Sequence, residues 1–245
     1  MINKKALCLI TYDPFQKLIY IDFLNNIVNY DIFVVIDKNN SDYSDLIQKY
    51  KNIKFILLDN NLCLLNGYKN LNFITFKKYV TGWDKAIYYF TNCEDKYDFV
   101  WFFEDDVFFF SDQILLDIDN KYINQDILCN CDFKEANLNI WLWNKIKNNY
   151  YNKPYYNGMM CIVRLSNLYL SKIKEHVNKY KTMFFLEAFY PIIAKKYNMS
   201  IIISPDEFST VTYRDYFKVK FIIENKNKLY HPIKNIEAHS YLRNK

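Results

Sequence analysis

Short apolar runs alternate with helically spaced segments along the first sixty residues. Residues 6–10 form a compact apolar run that predicts a strand, broken by Thr11-Tyr12-Asp13-Pro14. Residues 15–30 carry apolar side chains at Leu18, Ile19, Ile21, Phe23, Leu24, Ile27 and Val28, which predicts a helix. The runs at 32–36 and 53–58 predict two more strands, closed by Asp37-Lys38-Asn39-Asn40 and by Asp59-Asn60-Asn61. Between them, 41–50 predicts a second helix with Ser41 as its N-cap. Strand-helix-strand-helix-strand order implies a parallel sheet with right-handed crossovers. Thr11, Asp37 and Asp59 each follow a strand, so they are expected along one edge of that sheet.

Residues 81–90 predict the helix before the central strand, and 97–111 reads YDFVWFFEDDVFFFS. Phe99 to Phe103 is long enough for a strand buried on both faces, and 107–110 returns to apolar residues. Glu104, Asp105 and Asp106 arrive together between these two apolar runs, which are expected to be buried strands. Carboxylates are almost never buried without compensation, so the three belong at a sheet edge facing a cation. A divalent-metal site at a strand's carboxyl end fits this placement. A solvated acidic turn is the other reading, although turns usually recruit Gly, Asn or Pro and this one has none. Downstream, Ser111 is expected to cap a helix over 113–118, and strands are expected at 126–130 and 161–165. Ser166 is expected to cap a helix over 168–180, a helical stretch covers 183–197, and late strands fall at 201–203 and 210–213.

Composition narrows the classes. The 245 residues fit one large domain or a domain with a small appendage, and 51% apolar residues are ample for a core. Lys and Arg (32) exceed Asp and Glu (27) only slightly, and only Arg164, Arg214 and Arg243 are arginines, so nothing argues for nucleic acid. With Gly67, Gly82 and Gly158 the sole glycines, neither a Walker A loop nor a Gly-x-Gly-x-x-Gly turn can be written. Any nucleotide must then be held by side chains and a metal. The six cysteines lack paired Cys-x-x-Cys spacing and read as reduced, mostly buried thiols; Cys129-Asn-Cys131 could be half a zinc site, but no second half follows. No signal peptide is evident, and nowhere do about 18 apolar residues run together, so a cytoplasmic protein without a membrane span is expected. The bias to Asn, Lys, Ile and Tyr is that of an AT-rich genome, such as a giant virus or a protist, which extends the expected location to a host cytoplasm or a virion.

Two further features suit chemistry. Glu187 is the lone acid in a strongly apolar stretch, an environment that raises a carboxyl pKa and suits a general base; it also suits an ordinary helix-face glutamate. Trp141 and Trp143 within 137–148, and Tyr150, Tyr151, Tyr155 and Tyr156 around Pro154, could stack on sugar C–H faces or simply pack a core. Arg164 could face phosphate or pair with a carboxylate.

The apolar strand ending in Glu104-Asp105-Asp106 resembles the DXD motif of nucleotide-sugar-dependent glycosyltransferases with the A-type fold. The resemblance implies a mixed, mostly parallel, Rossmann-like α/β sheet with helices on both faces. It implies that Asp106 binds manganese or magnesium, with Glu104 its partner and Asp105 beside the substrate. It places Thr11, Tyr12 and Asp37 around the base and ribose, Lys85 on the donor and Gly158 at the transferred sugar. A histidine from the carboxy-terminal segment returns to the metal in that family, for which His231 is preferred and His239 is second, with Lys234 at the diphosphate. Glu187 stands where inverting members carry the catalytic acid. A solvated helix-face lysine is the other reading of Lys85, and the residues alone favour it slightly.

The whole chain can then be laid on a single glycosyltransferase-like domain, with 1–110 the nucleotide-binding half and 111–245 the acceptor half and metal/phosphate segment. The expected activity is metal-dependent transfer of a sugar, a hexose or N-acetylhexosamine, from a nucleoside-diphosphate donor with a lean to UDP. The acceptor is a glycan or protein hydroxyl, and the transfer is inverting. A catalytically silent nucleotide-sugar-binding protein and a metal-dependent phosphoryl or nucleotidyl transferase are the alternatives.

Overall fold

The computed structural model describes residues 4–94, 97–135, 145–146, 150–151, 156–202, 204–213 and 216–245, with the side chains of 132–134 left out. Trp141, Trp143, Pro154, Tyr155, Ile203 and Arg214 therefore lie outside the described residues. The first half runs β1 (Lys5–Thr11), α1 (Leu18–Leu24), β2 (Asp31–Ile36), α2 (Ser44–Lys49), β3 (Ile53–Leu57), α3 (Asn60–Leu65), α4 (Phe73–Phe76), α5 (Gly82–Asn92) and β4 (Phe99–Glu104). It continues with α6 (Asp112–Lys121), β5 (Ile127–Glu135), β6 (Tyr156–Ser166), α7 (Asn167–Tyr180), α8 (Leu186–Lys196), β7 (Ile201–Ile202), α9 (Val219–Glu224) and α10 (Ile236–Arg243). No helix among the described residues is long and apolar enough to cross a membrane.

One seven-stranded sheet organises the chain in the order β3-β2-β1-β4-β6-β5-β7. Strands β3, β2, β1 and β4 are mutually parallel, β5 and β7 are parallel, and β6 alone runs against its neighbours β4 and β5. This is the mixed, mostly parallel α/β sheet expected from the sequence. Alternation in β1 sends Ala6, Cys8 and Ile10 to one face, where they pack with Ala86 and Ile87 of α5 and Phe189 of α8. Leu7 and Leu9 face the other layer, against Tyr20, Ile21 and Leu24 of α1 and Leu115 of α6. Helices thus cover both faces, and β1 and β4 read as near-continuous apolar runs because neither face meets water.

Local chemistry explains where elements differ from expectation. The helix at 15–30 is a short 3-10 turn followed by α1, which stops at Leu24; Asn26 Nδ2 donates to the Asp22 carbonyl and the chain turns out through Ile27. Ser41 is not the cap of α2; Asp42 accepts from the Ser44 N–H at 2.9 Å and starts the helix there. Asp59 does not merely stop β3: it accepts from the Asn61 N–H and caps the unforeseen α3. The apolar run after the acids is not a strand. Phe108 instead makes an isolated bridge to Tyr230, each N–H donating to the other's carbonyl at 2.8 Å. Val211 of the expected strand at 210–213 makes only a bridge to His231.

Arg164 belongs to the core rather than to a phosphate. Its guanidinium is fully buried, 3.0 Å from Asp119, and donates to the carbonyls of Tyr122 and Gln125. Asp119 also accepts from Tyr30 and from Trp101, and Lys5 Nζ lies 3.2 Å from its Oδ2, so β1, β4, β6 and α6 share one compensated cluster. All six cysteines are free thiols, and no zinc-like set forms around Cys129 and Cys131 among the described residues.

Candidate functional site

The parallel strands end together, which puts their following residues on one rim. Asp37 N–H donates to the Thr11 carbonyl at 2.9 Å and Lys38 N–H to that of Tyr12 at 3.1 Å, so the ends of β1 and β2 are stitched. Glu104 is the last residue of β4, in register with Ile10, and Asp105 and Asp106 form the turn that leaves it. A strand buried on both faces can shed charge only at its end, and β4 does so at this rim. Thr11, Tyr12, Asp37, Gly82, Trp83 and the three acids line one cleft of about 360 Å³.

Distant chain completes the cluster. The bridge between Phe108 and Tyr230, with the Ile233 N–H donating to the Asp106 carbonyl at 2.8 Å, lays residues 230–233 along the acidic turn. His231 Nε2 then lies 3.1 Å from Asp106 Oδ1 and 3.9 Å from Glu104 Oε2. One ligand atom from each of Glu104, Asp106 and His231 falls within 4.8 Å of the others. The Thr212 carbonyl lies 2.6 Å from His231 Nδ1; a carbonyl only accepts, so the proton sits on Nδ1 and Nε2 faces the acids. Such a carbonyl behind an imidazole is the usual support of a metal-ligating histidine.

The charges agree with a cation position. Burial opposes ionisation of Asp106, but His231, Lys17 and Lys234 together hold its carboxyl below the ordinary value. Burial raises the Glu104 carboxyl, the Trp83 indole N–H at 2.8 Å lowers it, and the neighbouring acids raise it further. Burial depresses His231 and Asp106 outweighs it, so the imidazole is more basic than usual. Asp106 Oδ1 is buried with no well-directed hydrogen-bond donor, although His231 Nε2 is near. A buried carboxylate oxygen left without a donor, beside an imidazole nitrogen and a second carboxylate, is a donor set that a divalent cation fits.

The other expected residues divide. Asp105 turns from the cluster: it accepts from Thr11 Oγ1 at 2.5 Å and pairs with Lys17 at 2.9 Å. Lys85 is fully buried, not a solvated helix-face lysine, and its ammonium donates to the carbonyls of Ile36 and Asp37 and to Asn39 Oδ1. Asp37 keeps one oxygen 3.6 Å from Lys85 while lining the cleft. Tyr12 is exposed at the cleft mouth, with Lys78 over its ring. His239 is buried between Tyr20 and Phe108, with Nε2 against the Ile233 carbonyl.

Glu187 is the second residue of α8 and is buried; it accepts from the Tyr213 hydroxyl at 2.8 Å. Burial pushes its carboxyl up to about 8, Tyr213 lowers it, and the charge of Glu104 adds to the rise. Gly158 sits on β6 opposite Cys131, and a Cβ there would meet Met160, Cys131 and Pro191. It lines a separate cleft of about 350 Å³ that Thr212 and Tyr213 share. Lys234 is exposed, close enough to favour the ionised Asp106.

Four residues that sequence reasoning did not single out hold the site: Trp83, Lys17, Thr212 and Tyr213. Only Trp83 left a trace, beside Gly82, whose missing Cβ lets α5 approach Ile10, with the N-cap Thr81 donating to Asp84. A cleft of about 850 Å³ beside Lys69, Phe73, Lys145 and Lys181 is lined by Tyr150, one of the aromatic residues expected to stack on sugar or pack a core, and by none of the metal, nucleotide or base candidates.

No protein-family model and no curated protein matches the chain. Solved structures do resemble it. 4-Diphosphocytidyl-2C-methyl-D-erythritol synthase from Anaerococcus prevotii is 13% identical over 98% of this chain and 96% of its own, with a TM-score of 0.49. The bifunctional glycosyltransferase WbbM is 14% identical over 93% of this chain but only 45% of its own, with a TM-score of 0.48. Mouse xyloside xylosyltransferase 1 is 10% identical over 95% of this chain and 99% of its own, with a TM-score of 0.49. Likenesses this distant say nothing about chemistry, so strand order and side-chain geometry carry the reading that follows.

Proposed function

We propose that the chain is a glycosyltransferase that moves a sugar from a nucleoside-diphosphate donor, UDP by preference, to a hydroxyl acceptor. The observation that carries this reading is the convergence of Glu104, Asp106 and His231 at the carboxyl end of β4. Thr11, Tyr12 and Asp37 lie in the same cleft for the nucleoside, and Lys234 supplies a cation for the diphosphate. Asp106, His231 and Glu104 would hold a divalent ion; the imidazole in the set favours manganese over magnesium, which prefers all-oxygen ligands. When bound, such an ion supplies positive charge to the departing diphosphate.

Glu187 would serve as the base. A carboxylate whose acidity lies near 8 is a stronger proton acceptor than an ordinary one once ionised. It would take the acceptor's O–H proton as the oxygen attacks the anomeric carbon. The carbon–oxygen bond to the diphosphate breaks, and the leaving group keeps its electron pair. Attack opposite the leaving group inverts the anomeric centre.

Calorimetric titration of UDP with and without manganese, on wild type and Asp106→Ala, tests the donor site. Manganese-dependent binding lost in the variant supports it, and transfer from UDP-sugars should follow. No nucleoside diphosphate bound under any condition would sink the reading. Binding without sugar release or transfer would favour a silent nucleotide-sugar-binding protein.

A further inference from the structure

Another cleft, distinct from the one the acids line, shares with the roles above only Lys234, at its edge. It measures about 520 Å³, within the range of about 300–1,000 Å³ usual for small-molecule sites, and lies between residues 216–222 and α10. Phe217, Val219, Ile222, Ile233 and Leu242 form its walls, and Lys234 is its one charged lining residue among those described. Tyr216, 92% exposed, and Val219, 44% exposed, leave apolar surface open at its mouth.

Two connections tie this cleft to the chemistry. Tyr213 lines it and also donates its hydroxyl to Glu187 Oε2 at 2.8 Å. Ile233 and Lys234 closely follow His231, and the Ile233 N–H is held by the Asp106 carbonyl at 2.8 Å. A group resting in the cleft is therefore bounded by residues that touch the base on one side and the acidic turn on the other. Walls of this kind desolvate sugar hydroxyls without pairing them, whereas an aryl or alkyl group loses only unfavourable water contact.

We propose that this cleft takes the apolar part of the acceptor, an alcohol bearing an aryl or alkyl group, with its hydroxyl directed past Tyr213 to Glu187. The acceptor role rests on the glycosyl-transfer reading; the preference for an apolar group rests on the cleft alone. Phenyl and methyl β-D-glucopyranoside, titrated in the presence of UDP and manganese, are suitable probes. Wild type should bind the phenyl glycoside at least about tenfold more tightly than the methyl one.

Ala238→Trp, which fills the cleft from α10, should reduce that preference to about twofold or less while leaving manganese-dependent UDP binding unchanged. Val219→Asp at the exposed mouth is the second variant, should the first fail to fold, and should weaken phenyl glycoside binding. Equal binding of the two glycosides by wild type overturns the proposal, as does a preference that survives in a folded Ala238→Trp or Val219→Asp protein. Wild type without manganese-dependent UDP binding removes the donor site and with it the acceptor role, even if the cleft still prefers the phenyl group.

Discussion

The Thr212 carbonyl oxygen lies 2.6 Å from His231 Nδ1 and so decides which imidazole nitrogen faces the acids. The next residue, Tyr213, holds Glu187 at 2.8 Å. Two consecutive residues of one irregular segment thereby orient a candidate metal ligand and a candidate base. Neither role requires an unusual residue type, and both depend on where the segment lies.

His231→Ala should weaken manganese-dependent UDP binding at least about tenfold, because one of three candidate ligands and its oriented nitrogen are lost. Chelation should abolish the difference between variant and wild type. Calorimetry with and without EDTA measures both, and an unchanged affinity would exclude His231 from the site.

Glu187→Gln should lower kcat by about 10²–10⁴ with little change in UDP binding, since only proton transfer is removed. In wild type, kcat/KM should rise with pH toward about 8 as the carboxyl ionises. Tyr213→Phe removes a donor that favours the ionised form, so the rising limb should move to higher pH. A limb that does not move would show that Tyr213 does not act through Glu187.

Arg164→Ala should destabilise the fold by up to about 3–5 kcal/mol, because a fully buried site is emptied and Asp119 keeps only the Lys5 ammonium, 3.2 Å away, as a cationic partner. Lys172→Ala removes an exposed partner of Glu175 and should cost about 0–1 kcal/mol. Urea denaturation of the two variants distinguishes a core ion pair from a surface one.

His176 and His239 are buried, and burial lowers both to about 4 from an ordinary 6.5. The unfolded chain therefore takes up protons that the folded one refuses as pH falls from 6.5 toward 4. Each histidine's contribution is full above 6.5 and is lost across that window, up to about 3 kcal/mol apiece. The urea midpoint should fall with acid more gently in His176→Phe than in wild type. Parallel slopes would count against the assignment.

The strands were legible because burial on both faces demands uninterrupted apolar residues, and the acidic rim because carboxylates cannot follow β4 inward. Capping was less legible. Asp59 has the same residue type whether it ends a strand or starts a helix, and only the Asn61 N–H at 2.5 Å decides. Lys85 illustrates a different limit: its sequence position allowed a ligand-facing or a solvated lysine, and the structure spends its charge on the Ile36 and Asp37 carbonyls. His231 could be favoured among three histidines, but its partner Thr212 contributes a backbone carbonyl, which no side-chain pattern records.

The bridge that carries His231 to the acidic turn has a thermodynamic consequence. Segment 230–233 is held to the turn by the paired Phe108 and Tyr230 amides and by the Ile233 N–H. If this segment opens as a unit, the candidate ligand His231 departs with it, so opening and cation affinity are linked. A bound cation should then slow hydrogen–deuterium exchange at the Tyr230 and Ile233 amides by up to the factor by which losing His231 weakens its binding, while amides deep in β1 exchange independently of it.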